Sequence, residues 1–268
     1  MKKYKILYDS ELIIHKHVLH RIEACCTFRT FQGSLVREGE VGGWIESNKN
    51  LSQSKFSWVF DEGKVYGDSQ VLDDAVVMDT AEVYQNAKIY NKAIVRGDAD
   101  ISGNVRIYNF AKVFGEVQIW GNVTIRDNAI IKDKAKIYGN VNIFANATIG
   151  GRSAICDNAV IHGKSEIGGD VFIADSAEIC GGAKIDKCEN IGGDAYIYSS
   201  EDVLFISYNF SKRGLTFFKA REDEICVSNG YTYRLEDYLN MLNNQSFNKE
   251  RDILLLAKKI LNKENKNR

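Results

Sequence analysis

Val65–Asn104 reads VYGDSQVLDDAVVMDTAEVYQNAKIYNKAIVRGDADISGN, and every sixth residue in it, counted from Val65, is Val or Ile. That interval is neither the period of a helix nor the plain alternation of a strand. Followed outward, the same step runs from Val59 to Ile197 without a slip, about 24 hexads. Four residues after each branched position comes a small one, as in Ala75, Ala81, Ala87, Ala93 and Ala99. Between them stand turn formers such as Gly67-Asp68, Gly103-Asn104, Gly121-Asn122 and Asp157-Asn158. Gly, Asn and Asp tolerate the left-handed backbone conformation, so each hexad reads as a short strand and a tight corner. Three hexads closing one triangular coil stack the branched residues inside and put the small ones at the corners, giving about eight coils of parallel β-solenoid.

The bulk composition agrees. Among 268 residues, 44% are hydrophobic and 26% charged, enough apolar chain for a sizeable core. Lys plus Arg number 35 against 36 for Asp plus Glu, a net charge of -1, so nothing global draws the chain to nucleic acid or an anionic membrane. Proline is absent, where ordinary usage would give roughly a dozen, as long hydrogen-bonded ladders require. The six cysteines (Cys25, Cys26, Cys156, Cys180, Cys188 and Cys226) form no CxxC pair, so their spacing suggests neither a zinc site nor a disulfide framework. Reduced thiols, no membrane span, and Asp9 and Glu11 breaking the opening apolar run together point to a cytoplasmic protein.

The pattern [V/I]-x-[G/D/N]-[N/D]-[A/V]-x over Val59–Ile197 resembles the hexapeptide-repeat left-handed β-helix, and the resemblance implies the handedness. The chain then divides into an N-terminal β cap (1–58), the β-helix (59–199) and a small C-terminal α+β module (200–268). In the cap, Gly42-Gly43-Trp44-Ile45, Asn50-Leu51-Ser52 and Trp58-Val59 resemble a segment of phage and prophage β-helix proteins of unknown function. The glycines are expected to make a turn and the tryptophans to plug the first coil, covering an edge that would otherwise invite association. Beyond residue 200, DVLFISYNF, GLTFFKA and EICVSN read as strands, then YRLEDYLNML and ERDILLLAKKILNK as amphipathic helices. The segment Asn248–Arg268 carries an excess of Lys and Arg that reads as a solvated helix end.

Hexapeptide-repeat proteins are often acyltransferases with a histidine as general base at a groove between subunits. His15, His17 and His20 lie in the cap here, and only His162 lies in the solenoid, at an outward position. No hexad carries the long loop that shapes an acyl-donor site in that family, so catalysis by His162 is the runner-up and no catalytic residue, metal or cofactor is assigned. Corner Asp and Asn residues resemble calcium ligands only superficially, because the turn itself selects them.

Residues 18 apart stack if three hexads close a coil, so the position after each branched residue makes outward columns. One reads Tyr66, Tyr84, Ser102, Trp120, Tyr138, and a second Leu72, Tyr90, Tyr108, Arg126, Phe144, His162. The third, Met78, Arg96, Phe114, Lys132, Gly150, is less aromatic. Such columns stabilise neighbouring strands or mark an interface, where Tyr, Trp and Arg carry most binding energy. Tyr84, Tyr90, Tyr108, Trp120, Arg126, Tyr138 and Phe144 are therefore the candidate protein-binding residues. Acids outnumber bases from Asp61 to Asp100, which would attract a basic partner surface. The leading expectation is a non-enzymatic phage or prophage accessory protein binding a host or phage protein, for instance an antiphage system such as a CRISPR effector, without direct contact to nucleic acid. The third reading is self-assembly into homo-oligomers through the aromatic faces or solenoid ends.

Overall fold

The computed structural model describes residues 2–187, 190–207, 214–221, 224–228, 231–243 and 248–263. Cys188 and the last five residues of the basic tail lie outside them, as do the ends of the two strand readings around residues 208–210 and 229. The chain is mainly β, a parallel β-solenoid of about eight turns in three parallel sheets, with antiparallel strands before it and an antiparallel sheet plus two helices after it. It forms two compact units, Met1–Asn146 and Ala147–Arg268.

In the first unit the hexad register closes as the spacing requires. Val65, Val83, Ile101, Ile119 and Ile137 pair in succession along one sheet. Val71, Ile89, Ile107, Ile125 and Ile143 do so along the second, and Val77, Val95, Val113 and Ile131 along the third. All are fully buried, and so are the alanines and valines that follow each corner. Identical heights let like side chains stack, which fills the interior at native density.

Each corner places its first turn residue at positive φ, as at Asp73, Asp79, Asn91, Gly97, Gly103 and Asn109. Aspartate there has a second use. The carboxylates of Asp73, Asp79 and Asp127 accept the backbone N–H of Asn91 (3.1 Å), Gly97 (2.9 Å) and Ala145 (3.2 Å), each one coil on. This closes hydrogen bonds that the corner would leave open. The acids of Asp61–Asp100 are thus largely committed within the chain: Asp73 also holds Lys55 (2.8 Å), and Glu82 holds Lys64 (2.9 Å). Ala145 occupies a left-handed corner (φ 61°) without a side chain suited to it. Ala145→Gly is expected to raise the unfolding free energy by about 0.5–1 kcal/mol, since the relief of strain exceeds the entropy glycine adds to the unfolded chain. Urea unfolding of parent and variant measures it, and an unchanged midpoint would show the corner to be unstrained.

The N-terminal strands Tyr4–Ile14 and His17–Ala24 pair antiparallel, and the second continues onto Val41–Ile45. Val41–Ile45 in turn pairs parallel with the solenoid, Ile45 against Val65. The edge is therefore covered by backbone hydrogen bonding. Gly42 and Gly43 correct the expectation of a turn, because they lie inside this strand. A Cβ at Gly42 would stand 2.7 Å from the Val59 carbonyl oxygen and one at Gly43 2.6 Å from that of Gly63, so both are glycine for close approach. Trp58 is the plug: it is fully buried, with Tyr4 and Phe28 edge-on to it at 6.3 and 5.5 Å. Trp44 stays half-buried under the Arg21 guanidinium (4.3 Å) and donates its Nε1–H to Glu62 (3.0 Å).

Within the second unit the hexads pair in the same way, Ile149–Ile167–Ile185, Ile155–Ile173–Ile191 and Ile161–Ile179–Ile197. After it come strands Val203–Ser207, Gly214–Lys219, Ile225–Ser228 and Thr232–Arg234, all antiparallel. The last of these replaces the helical reading of Tyr233-Arg234, because pairing with Cys226 and Val227 outweighs local propensity, and helix Leu235–Asn243 starts just after it. Its apolar face and that of helix Asn248–Lys263 bury Leu235, Leu239, Leu254 and Leu261 against Leu215 and Phe217. Among the described residues no helix is long and apolar enough to cross a membrane.

Candidate binding faces

In each hexad strand the residues on either side of the inward Val or Ile face away from the interior, and most of them are exposed or half-buried. The position after it carries the anticipated columns, and the first unit stacks them as rings. Tyr66 and Tyr84 lie 5.1 Å apart at 4°, Tyr90 and Tyr108 4.7 Å at 8°, and Trp120 and Tyr138 4.6 Å at 3°. These separations are the spacing of adjacent strands, roughly 4.8 Å, so the backbone repeat sets the stacking. The Arg126 guanidinium covers Phe144 at 4.1 Å and is oriented by Asp127 at 2.9 Å. Trp120 is 40% exposed, whereas Tyr84, Tyr90, Tyr108, Arg126, Tyr138 and Phe144 are half-buried.

Burial pushes the hydroxyl pKa of Tyr84 and Tyr90 above the ordinary value, helped by Asp100 at the first and by Tyr108 at the second. Both faces therefore offer hydrogen-bonding hydroxyls at the edge of rigid apolar plates, a combination enriched at interfaces.

The position before each branched residue was not singled out in the sequence, and it carries charge. On the sheet that bears Tyr90 and Tyr108, Gln70, Lys88, Arg106 and Thr124 line an open groove of about 640 Å³ with Lys49 and the corner residues Asp68, Asn86, Asn104 and Asn122. Three cations face one acid there. The asparagines form a ladder, Asn86 donating to Asn104 at 3.2 Å and Asn104 to Asn122 at 2.9 Å. Ladder bonds hold the amides in one orientation along the groove wall. Stepping by 18 one position earlier in the sequence would have found Lys88 and Arg106.

The histidines are dispersed. His17 Nδ1 meets Glu46 at 3.0 Å, the His20 Nδ1–H donates to the Ser10 carbonyl at 2.7 Å, and His15 sits in the turn of the first hairpin. His162, in the second unit, is half-buried with Nε2 3.1 Å from Glu178.

Fold and faces define a parallel β-solenoid whose outside carries stacked aromatic columns beside a cationic groove. No protein-family model matches the sequence, and no curated protein matches it.

Proposed function

We propose that the protein is a binding module that engages another protein through the outward faces of its first unit. The observation that carries this is the set of three parallel aromatic stacks, each preformed by the coil repeat. Rigid aromatic side chains lose little conformational entropy on binding, and such anchors dominate interface energetics. Lys88, Arg106 and Arg126 beside Tyr90, Tyr108 and Phe144 favour an acidic partner surface on that face, a reversal of the basic partner suggested by the acids of Asp61–Asp100, which are paired within the chain. Trp120 with Tyr138 forms a second anchor on the neighbouring sheet.

The resemblance of the cap to phage and prophage β-helix proteins supports a concrete version. In it the partner is a host or phage protein, and the module inhibits an antiphage system such as a CRISPR effector by occupying a working surface. This version rests on that resemblance alone.

The test is a tagged capture from host lysate beside two variants, Trp120→Ala/Tyr138→Ala and Arg106→Glu/Tyr108→Ala, with folding checked by circular dichroism. A stoichiometric partner held by the parent is expected to lose at least about 30-fold in affinity with one of the double variants, the cost of losing a hot spot of about 2 kcal/mol. Equal capture by all three proteins would remove the aromatic faces from the interface.

A further inference from the structure

Three side chains of different chemistry converge on one face of the second unit. His162 follows the inward Ile161, and Cys180 holds the same place one coil later, after Ile179. Glu178 stands on the other side of Ile179 and turns back toward His162, its Oε1 3.1 Å from Nε2. The imidazole nitrogen, the carboxylate oxygen and the Cys180 sulfur all lie within 4.8 Å of one another. We propose that His162, Glu178 and Cys180 form a binding site for a divalent transition metal of the zinc type.

The donor set selects the ion. Nitrogen, oxygen and thiolate sulfur suit Zn²⁺, whereas Ca²⁺ and Mg²⁺ take oxygen ligands. Bonds of about 2.0–2.3 Å to a tetrahedral ion put the donors roughly 3.3–3.8 Å apart, so side-chain rotations, without movement of the coil, complete the triangle. Three protein ligands leave the fourth position to water or another exchangeable ligand.

Neighbouring groups hold the ligands. Arg221 Nη2 binds the second carboxylate oxygen of Glu178 at 2.9 Å, leaving Oε1 toward His162. Burial pushes the Cys180 thiol above its ordinary pKa, with Tyr196 hydrogen-bonded to it. The ion would take His162 through Nε2, the nitrogen that faces Glu178, and Cys180 through its thiolate sulfur.

The experiment uses the full chain, stripped with chelator under reducing conditions and titrated with Co²⁺. One equivalent is expected to produce a near-ultraviolet sulfur-to-cobalt charge-transfer band, which Zn²⁺ then bleaches. Cys180→Ser should abolish the band, and His162→Ala should weaken binding by more than the roughly 10–100-fold typical of outer-shell changes. Arg221→Ala should weaken it by about 10-fold. A Cys25→Ser/Cys26→Ser variant should keep the band. Absence of the band in the parent, or its survival in Cys180→Ser, overturns the site. Should Cys180→Ser fail to fold, undiminished Co²⁺ affinity in folded His162→Ala would overturn it equally.

Discussion

Lys219→Met is expected to destabilise the C-terminal unit by about 3–5 kcal/mol, the cost of removing one partner from a buried ion pair. The Asp202 side chain is 2% exposed and lies 2.8 Å from the Lys219 ammonium, itself 9% exposed. Asp202 also accepts the backbone N–H groups of Tyr198 (3.0 Å) and Ser199 (2.8 Å), so it pins the end of the last coil where the chain enters the antiparallel sheet. Burial by itself would raise the pKa of this carboxyl, but Lys219 and the two N–H donors outweigh it and hold it below the ordinary carboxylate value. A depressed pKa means that the pair's stabilisation is present above the unfolded-state value, about 4, and is lost as the pH falls through the folded one. The gap between parent and variant should therefore be widest near neutrality and narrow in acid, where protonation relieves the unpaired charge. Urea unfolding at several pH values measures this. Asp202→Asn/Lys219→Met should regain at least half of the loss. A gap below about 1 kcal/mol at neutral pH would place the pair in the solvated class instead.

Gly121→Val should cost the first unit about 2–5 kcal/mol, from two separable causes. Gly121 has φ +95°, a region that an L side chain enters at about 1–2 kcal/mol. In addition, a Cβ there would meet the carbonyl oxygen of Gly139 at 2.7 Å and its nitrogen at 2.9 Å. That oxygen belongs to the next coil's backbone and accepts the N–H of Asn122, so relief requires the coils to part, a strain of about 1–3 kcal/mol. Gly33 separates the causes: its φ is +91°, yet nothing lies within 4 Å of its Cβ position. Gly33→Ala should lose only the conformational part, and Gly121→Ala more. Equal losses at the two positions, read by thermal unfolding, would show that the coils yield freely.

The aromatic stacks are legible because each lies on one 18-residue column; the groove beside them obeys the same arithmetic one position earlier, but its Gln, Lys, Arg and Thr share no single chemistry that marks a column. Gly42-Gly43 reads as a turn in the sequence because a glycine pair signals a bend and a close approach alike. Only the packing of Trp58 and Val59 against them distinguishes the two. The cluster of His162, Glu178 and Cys180 was invisible to motif spacing, since metal motifs place ligands a few residues apart and these are joined by a coil.

By itself the sequence determined the architecture. Period six, with branched, small and left-handed positions in fixed order, leaves one economical way to bury every branched residue, and stacking repeats that rule coil after coil. Tertiary structure alone decided which outward neighbours meet: the tilt of Arg126 onto Phe144, the reach of Glu178 toward His162, and the burial of Asp202 with Lys219. Outward side chains are free of the interior's packing constraint, so their contacts depend on rotamer and height on the coil, which periodicity does not encode.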